Sequence, residues 1–120
     1  MAAGPGSCAR LLALIDAVRL SSRDVSLPGV VLFLLVCEHD GISIKELVYL
    51  SGYGESLVSR AIERLHGAED SRKLADFGGA LVTVTRHPED GRRRLVFLTE
   101  AGRALKKRID RALAGLPEEV

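Results

Sequence analysis

Arg92, Arg93 and Arg94 follow directly on Asp90-Gly91, and Arg86 lies just upstream. Guanidinium groups this close together suit an anion, because each presents planar donors that match phosphate or carboxylate oxygens. The wider segment from Val84 to Arg111 holds nine Lys or Arg against four Asp or Glu, in a chain whose formal net charge is only +1. A second set comprises Glu55, Ser56, Ser59, Arg60 and Arg64. It falls mainly on the side of a helical repeat away from Leu57, Val58, Ala61, Ile62 and Leu65. Hydroxyls and guanidiniums presented together can contact phosphates and the edges of bases.

Each set also has a plainer reading. The arginine run can be a solvated turn that keeps an edge hairpin from aggregating. Arg60 and Arg64 can pair along the helix with Glu55 or Glu63, and serines are common on any exposed helix. Other chemistry finds less support. His39, His66 and His87 are scattered, with no carboxylate or thiol at ligand spacing, so neither a metal nor any other cofactor is expected. No Ser-His-Asp set, phosphate-cradling glycine loop or paired acids can be picked out, and the chain is not read as an enzyme. Cys8 sits at a helix start, where a thiolate is favoured, and Cys37 ends an apolar run and reads as core. Two cysteines make no disulfide framework and suit a reducing, cytoplasmic setting.

Composition is consistent with a single domain over residues 1–120, 47% hydrophobic and 28% charged, which is globular rather than disordered. Aromatic residues make up only 4%, so the core must rest on Leu, Val, Ile and Ala. The first residues have no apolar run of the secretory kind, and residues 1–7 are expected to be a flexible tail. The most apolar run, Val30 to Cys37, is too short to span a bilayer, and no membrane partner is expected.

The elements that must position the two sets can be read in order. Residues 8–39 predict two N-terminal helices, the second capped by Ser26 with Pro28 in its first turn and nearly apolar all round. Within residues 42–66, Ser43 predicts an N-cap with Glu46 as its capping-box partner, and Val48 and Leu50 are expected to face inward with Ile44 and Leu47. Gly52 suits a left-handed turn into the next helix, giving a helix-turn-helix. Residues 67–80 read as an inserted loop, with one helical turn around Arg72 to Phe77. Residues 81–98 predict a hairpin of two alternating strands about a two-residue Asp90-Gly91 turn, its tip carrying Arg92, Arg93 and Arg94 into solvent. Over 99–116 a long C-terminal helix is capped by Thr99, faces inward through Leu105, Ile109, Leu113 and Leu116, and stops at Pro117. The fold class is therefore mainly α with a small β component (α+β), a winged helix-turn-helix.

The segment DGRRRLVFLTEAG resembles the wing of the MarR-type transcriptional regulators, with Asp90, Arg92, Val96, Leu98, Thr99 and Gly102 at the pattern positions. KELVYLSGYGESLVSRAIERL is similar to that family's helix-turn-helix, through Ser56 and the triplet Val58-Ser59-Arg60. The resemblance implies a dimeric regulator, expected here to be a repressor, that binds double-stranded DNA. Its second helix would lie in the major groove and its wing Arg in the minor groove, with Asp90 holding that arginine in place. It also departs from the family, which reaches the wing sooner and continues through a further C-terminal helix. The dimer is expected through the N- and C-terminal helices, and a small-molecule effector is open but unnamed. The rival reading is a winged-helix protein-interaction module in a larger assembly, its apolar first helix docking a partner.

Overall fold

The computed structural model describes residues 6–21, 26–67 and 80–115. Helix α1 (Ser7–Ser21) is followed by α2 (Leu27–Glu38), strand β1 (Ile42–Ser43), α3 (Ile44–Ser51) and α4 (Glu55–His66). Strands β2 (Val82–Arg86) and β3 (Arg94–Leu98) lead into the last helix, α5 (Glu100–Leu113). The expected inserted loop, with its helical turn around Arg72 to Phe77, lies outside the described residues apart from its ends.

Short-range capping chemistry sets most helix starts. The Gly29 N–H donates to Ser26 Oγ (3.2 Å), the Glu46 N–H to Ser43 Oγ (3.1 Å) and the Gly102 N–H to Thr99 Oγ1 (3.0 Å). Each satisfies a donor that the first helical turn leaves without a partner. Gly52 ends α3 at φ 76°, in the left-handed region where a side chain would be strained, and this tight turn reverses the chain into α4.

Helix α2 is the centre of the core. Leu32, Phe33 and Val36 have no exposed surface, because α2 packs against α3, α4 and β3. Around it pack Leu47 of α3, Val58 and Ile62 of α4, Val96 of β3 and Leu105 and Ile109 of α5. Helix α1 lies against α5 through Leu14, Ala17 and Val18. Arg10 Nη1 donates to the Leu113 carbonyl (3.2 Å), a cation at the C-terminal end of α5.

The sheet differs from the expected two-stranded hairpin. It has three antiparallel strands in the order β1-β3-β2, because Ile42 and Ser43 pair with Val96 and Leu95. The hairpin turn differs too. Pairing of β2 with β3 ends at Arg86 and Arg94, so residues 87–93 form the connection and Asp90-Gly91 is not a two-residue turn. Instead Asp90 opens a four-residue turn in which the Arg93 N–H returns to its carbonyl (2.9 Å).

Several side chains expected inside are outside. Leu50 is 48% exposed, Leu57 39% and Leu113 46%, each left open by the described residues. Helix α5 ends at Leu113 with Gly115 at φ 73°, short of Pro117, which with Leu116 lies outside the described residues. Among the described residues, no helix is long and apolar enough to cross a membrane.

The two thiols should behave differently. Burial pushes the Cys37 thiol up to about 11, whereas Cys8 is exposed in the first turn of α1. At about pH 8, near the ordinary thiol value, iodoacetamide is expected to modify Cys8 and leave Cys37 until the chain unfolds. Equal rates on mass-spectrometric mapping would contradict the packing of α2. The folded state holds the Cys37 proton more tightly than the unfolded chain does. That contribution to stability is present at neutral pH and is lost as pH rises through about 11.

Candidate nucleic-acid interface

In α4 the buried residues Val58, Ala61, Ile62 and Leu65 define the inner face. At 100° per residue the opposite ridge consists of Ser56, Arg60 and Glu63, all exposed. Arg64 lies on one flank of that ridge, and half-buried Ser59 on the other. Glu55 is exposed in the first turn, where a carboxylate complements the helix dipole. Ser56, Ser59, Arg60 and Arg64 thus share one solvent-facing side, joined by Glu63, whereas Glu55 falls toward the Ile62 edge of the helix. A carboxylate there can accept from a cytosine amino group and repels phosphate.

The wing brings the other candidates to different places. Arg92 is exposed in the loop, and its N–H donates to Asp90 Oδ1 (3.1 Å). Asp90 therefore orders the backbone that carries Arg92, rather than gripping the guanidinium itself. Arg86 Nη1 donates to the Gly91 carbonyl (2.8 Å), so its charge braces the loop from below. His87 Nδ1 accepts from the Glu89 and Asp90 N–H groups (3.1 and 3.3 Å), and the His87 N–H donates to the Arg93 carbonyl (2.7 Å). With its backbone groups satisfied in this way, the connection is held in shape.

The tip does not carry three free arginines. Arg94 is half-buried at the base of β3, and Arg93 turns back to α3, where its Nη2 meets Glu46 Oε1 at 3.1 Å. Arg92 is the wing arginine that projects. Glu46 also accepts from the Ser43 hydroxyl (2.9 Å), and this bond and the Arg93 guanidinium hold its carboxyl below the usual carboxylate range. Sequence reading identified Glu46 as a capping residue, but its contact with Arg93 spans 47 positions and has no local signal.

The wing and α4 share a frame. The Leu81 N–H donates to the Leu65 carbonyl (2.9 Å), and His66 Nδ1 lies 3.1 Å from the Val82 carbonyl oxygen. The C-terminal end of α4 is thereby tied to the start of β2. A groove of about 570 Å³ is lined by Cys37 at the end of α2, Asp40, Leu98 of β3 and Arg103, Lys106, Lys107 and Asp110 of α5. Its walls carry three bases and two acids. Among the described residues, no group of three or more His, Cys, Asp or Glu is arranged to hold a metal ion.

No protein-family model and no curated protein matches the sequence. Solved structures do resemble the fold. The PcaV transcriptional regulator of Streptomyces coelicolor, solved with its natural ligand, aligns with a TM-score of 0.58 at 24% identity over 95% of this chain and 79% of that one. A MarR transcriptional regulator from Methanosarcina mazei Go1 aligns at 0.61 and 21% identity, over 86% of this chain and 65% of that one. Reduced AbfR, solved bound to DNA, aligns at 0.61 and 16% identity, over 92% and 71%. The chain therefore has the winged-helix fold found in MarR-type regulators.

Proposed function

We propose that this protein is a MarR-type transcriptional regulator that binds double-stranded DNA. Helix α4 enters the major groove through Ser56, Ser59, Arg60 and Arg64, and Arg92 reaches the adjacent minor groove, whose negative potential attracts a guanidinium. The observation that carries this reading is the solvent-facing ridge of α4 beside a wing whose projecting residue is an arginine. Asp90 orders the wing, Arg86 braces it, and Arg94 supports its base. The DNA-bound state of AbfR, a structural neighbour, supports the same use of the fold.

A homodimer suits this reading, since two copies would read two half-sites of a roughly palindromic operator. Leu11, Leu12 and Ile15 of α1 are 53%, 58% and 38% exposed, and the exposed Leu113 of α5 lies at the same end of the helix pair, its carbonyl bonded to Arg10. Apolar surface of this kind calls for a partner, and a second copy would cover it. The same surface is what favours the second reading, a protein-docking module. Repression is the mode we favour, because a dimer seated on an operator excludes other proteins from it.

Fluorescence anisotropy with a labelled random-sequence duplex, repeated over a range of salt, separates the two readings. The DNA reading expects micromolar binding whose log K falls with log salt by several units, at about 0.9 per phosphate contacted. No binding at low salt would leave the docking reading. Sedimentation velocity on the same sample tests the dimer, and a monomer at micromolar concentration would remove it.

A further inference from the structure

Arg93 and Glu46 form a connection that the DNA-binding reading does not require. A wing that serves only to gather phosphates would do better with Arg93 free beside Arg92. Instead Glu46, from the first turn of α3, draws the guanidinium back onto the body of the protein. An ion pair between exposed groups usually contributes little, because two long side chains must be ordered to make it. Here part of that cost is already met. Ser43 is 1% exposed, and its hydroxyl donates to the same Glu46 oxygen (2.9 Å) that receives Arg93. The carboxylate is thus held in place by the capping box of α3. At the other end of the contact, the Arg93 N–H and carbonyl are both engaged within the wing loop.

Strand pairing gives the contact its leverage. Ser43 pairs with Leu95 of β3, two positions beyond Arg93, so β1 and the Glu46 bridge tie the wing base to α3 at adjacent points. We infer that Glu46 is a specificity-determining positioning residue: by clamping Arg93 it fixes the wing against the helix-turn-helix and keeps one cation off the phosphate backbone. Arg92 is then presented at a defined height while sequence-independent attraction is held down. This inference rests on the DNA-binding reading.

The test is a double-mutant cycle of Glu46→Gln and Arg93→Gln in the full chain, read by anisotropy with the random-sequence duplex over a range of salt. Gln at position 46 can still accept from Ser43, so the α3 cap is kept. Glu46→Gln is expected to bind several-fold more tightly, with a salt slope steeper by about 0.9 as one more phosphate contact forms. In the Arg93→Gln background most of that gain should vanish. Weaker binding by Glu46→Gln, or an equal gain in both backgrounds, would overturn the proposal. Nitrogen relaxation of the Arg93 Nε–H without DNA gives an independent readout: restrained in the parent protein and mobile in Glu46→Gln. Equal mobility in the two overturns the clamp whatever the DNA result. A restrained Arg93 in a protein that binds no duplex would overturn the DNA reading, and the inferred effect on specificity with it, while the clamp itself stood.

Discussion

Replacing Gly102 with alanine is expected to destabilise the fold by about 3 kcal/mol or more, at the severe end for overpacking. In an exposed helix the same change gains about 1 kcal/mol from helix propensity, so even the sign of the effect is diagnostic. Gly102 lies in the first turn of α5, and a Cβ there would collide with the Leu81 carbonyl oxygen while sitting 3.2 Å from Leu98 Cδ2. The collision cannot be relieved by a rotamer change, because the obstructing atom is backbone. That backbone is held on both sides. The Leu81 carbonyl accepts the Thr99 N–H (3.1 Å), and the Leu81 N–H donates to Leu65 at the end of α4 (2.9 Å). Moving Leu81 would therefore disturb the α5 cap and the α4–β2 junction together. Gly91→Ala is the control: nothing lies within 4 Å of its Cβ position and its φ is not positive, so a near-neutral effect is expected. Urea unfolding followed by circular dichroism measures both variants. A Gly102→Ala protein as stable as its parent would mean that α5 does not pack this closely on Leu81.

Gly102 also shows how much of the fold was legible in the sequence. Its place three residues after Thr99 belongs to the family resemblance, while the N-caps at Ser26, Ser43 and Thr99 and the turn at Gly52 all form as expected. These features depend on atoms a few residues apart, so short motifs carry them. The reason position 102 excludes a side chain is a contact with Leu81, 21 residues earlier, which no local pattern records.

The departures share that cause. Strand β1 is two residues long and exists because β3 lies beside it, so it leaves no alternation to read. Asp90-Gly91 has the composition of a two-residue hairpin turn, but His87 draws the Glu89 and Asp90 amides to its ring and shifts the turn so that Asp90 is its first residue. The candidate site was legible in the same degree. Periodicity alone put Ser56 and Arg60 on one face of α4. It could not separate Arg92, which projects, from Arg93, which pairs with Glu46, because that distinction depends on where α3 sits.

Removing both reaching arginines, Arg60→Ala with Arg92→Ala, is expected to abolish most of the DNA affinity. Each substitution should cost on the order of 1 to 3 kcal/mol. Arg60 is on α4 and Arg92 on the wing loop, and no hydrogen bond or ion pair joins them among the described residues. Two sites without shared partners should act nearly additively, for a combined loss of roughly 2 to 6 kcal/mol, or about 30-fold to more than 10⁴-fold in Kd. Both side chains are exposed, so stability should stay within about 0.5 kcal/mol of the parent, and lost affinity will not be a folding effect. The two single variants should differ in kind. If Arg60 reads a guanine edge in the major groove, its loss relaxes discrimination between operator and random duplex. Arg92 in a narrow minor groove should respond to the width of that groove, so its loss should remove a preference for A·T-rich flanks. A mere phosphate contact at either position would instead weaken all duplexes alike and shallow the salt slope by about 0.9. A folded double variant that binds operator and random duplex as tightly as the parent would remove both residues from the interface, and the DNA-binding reading with them.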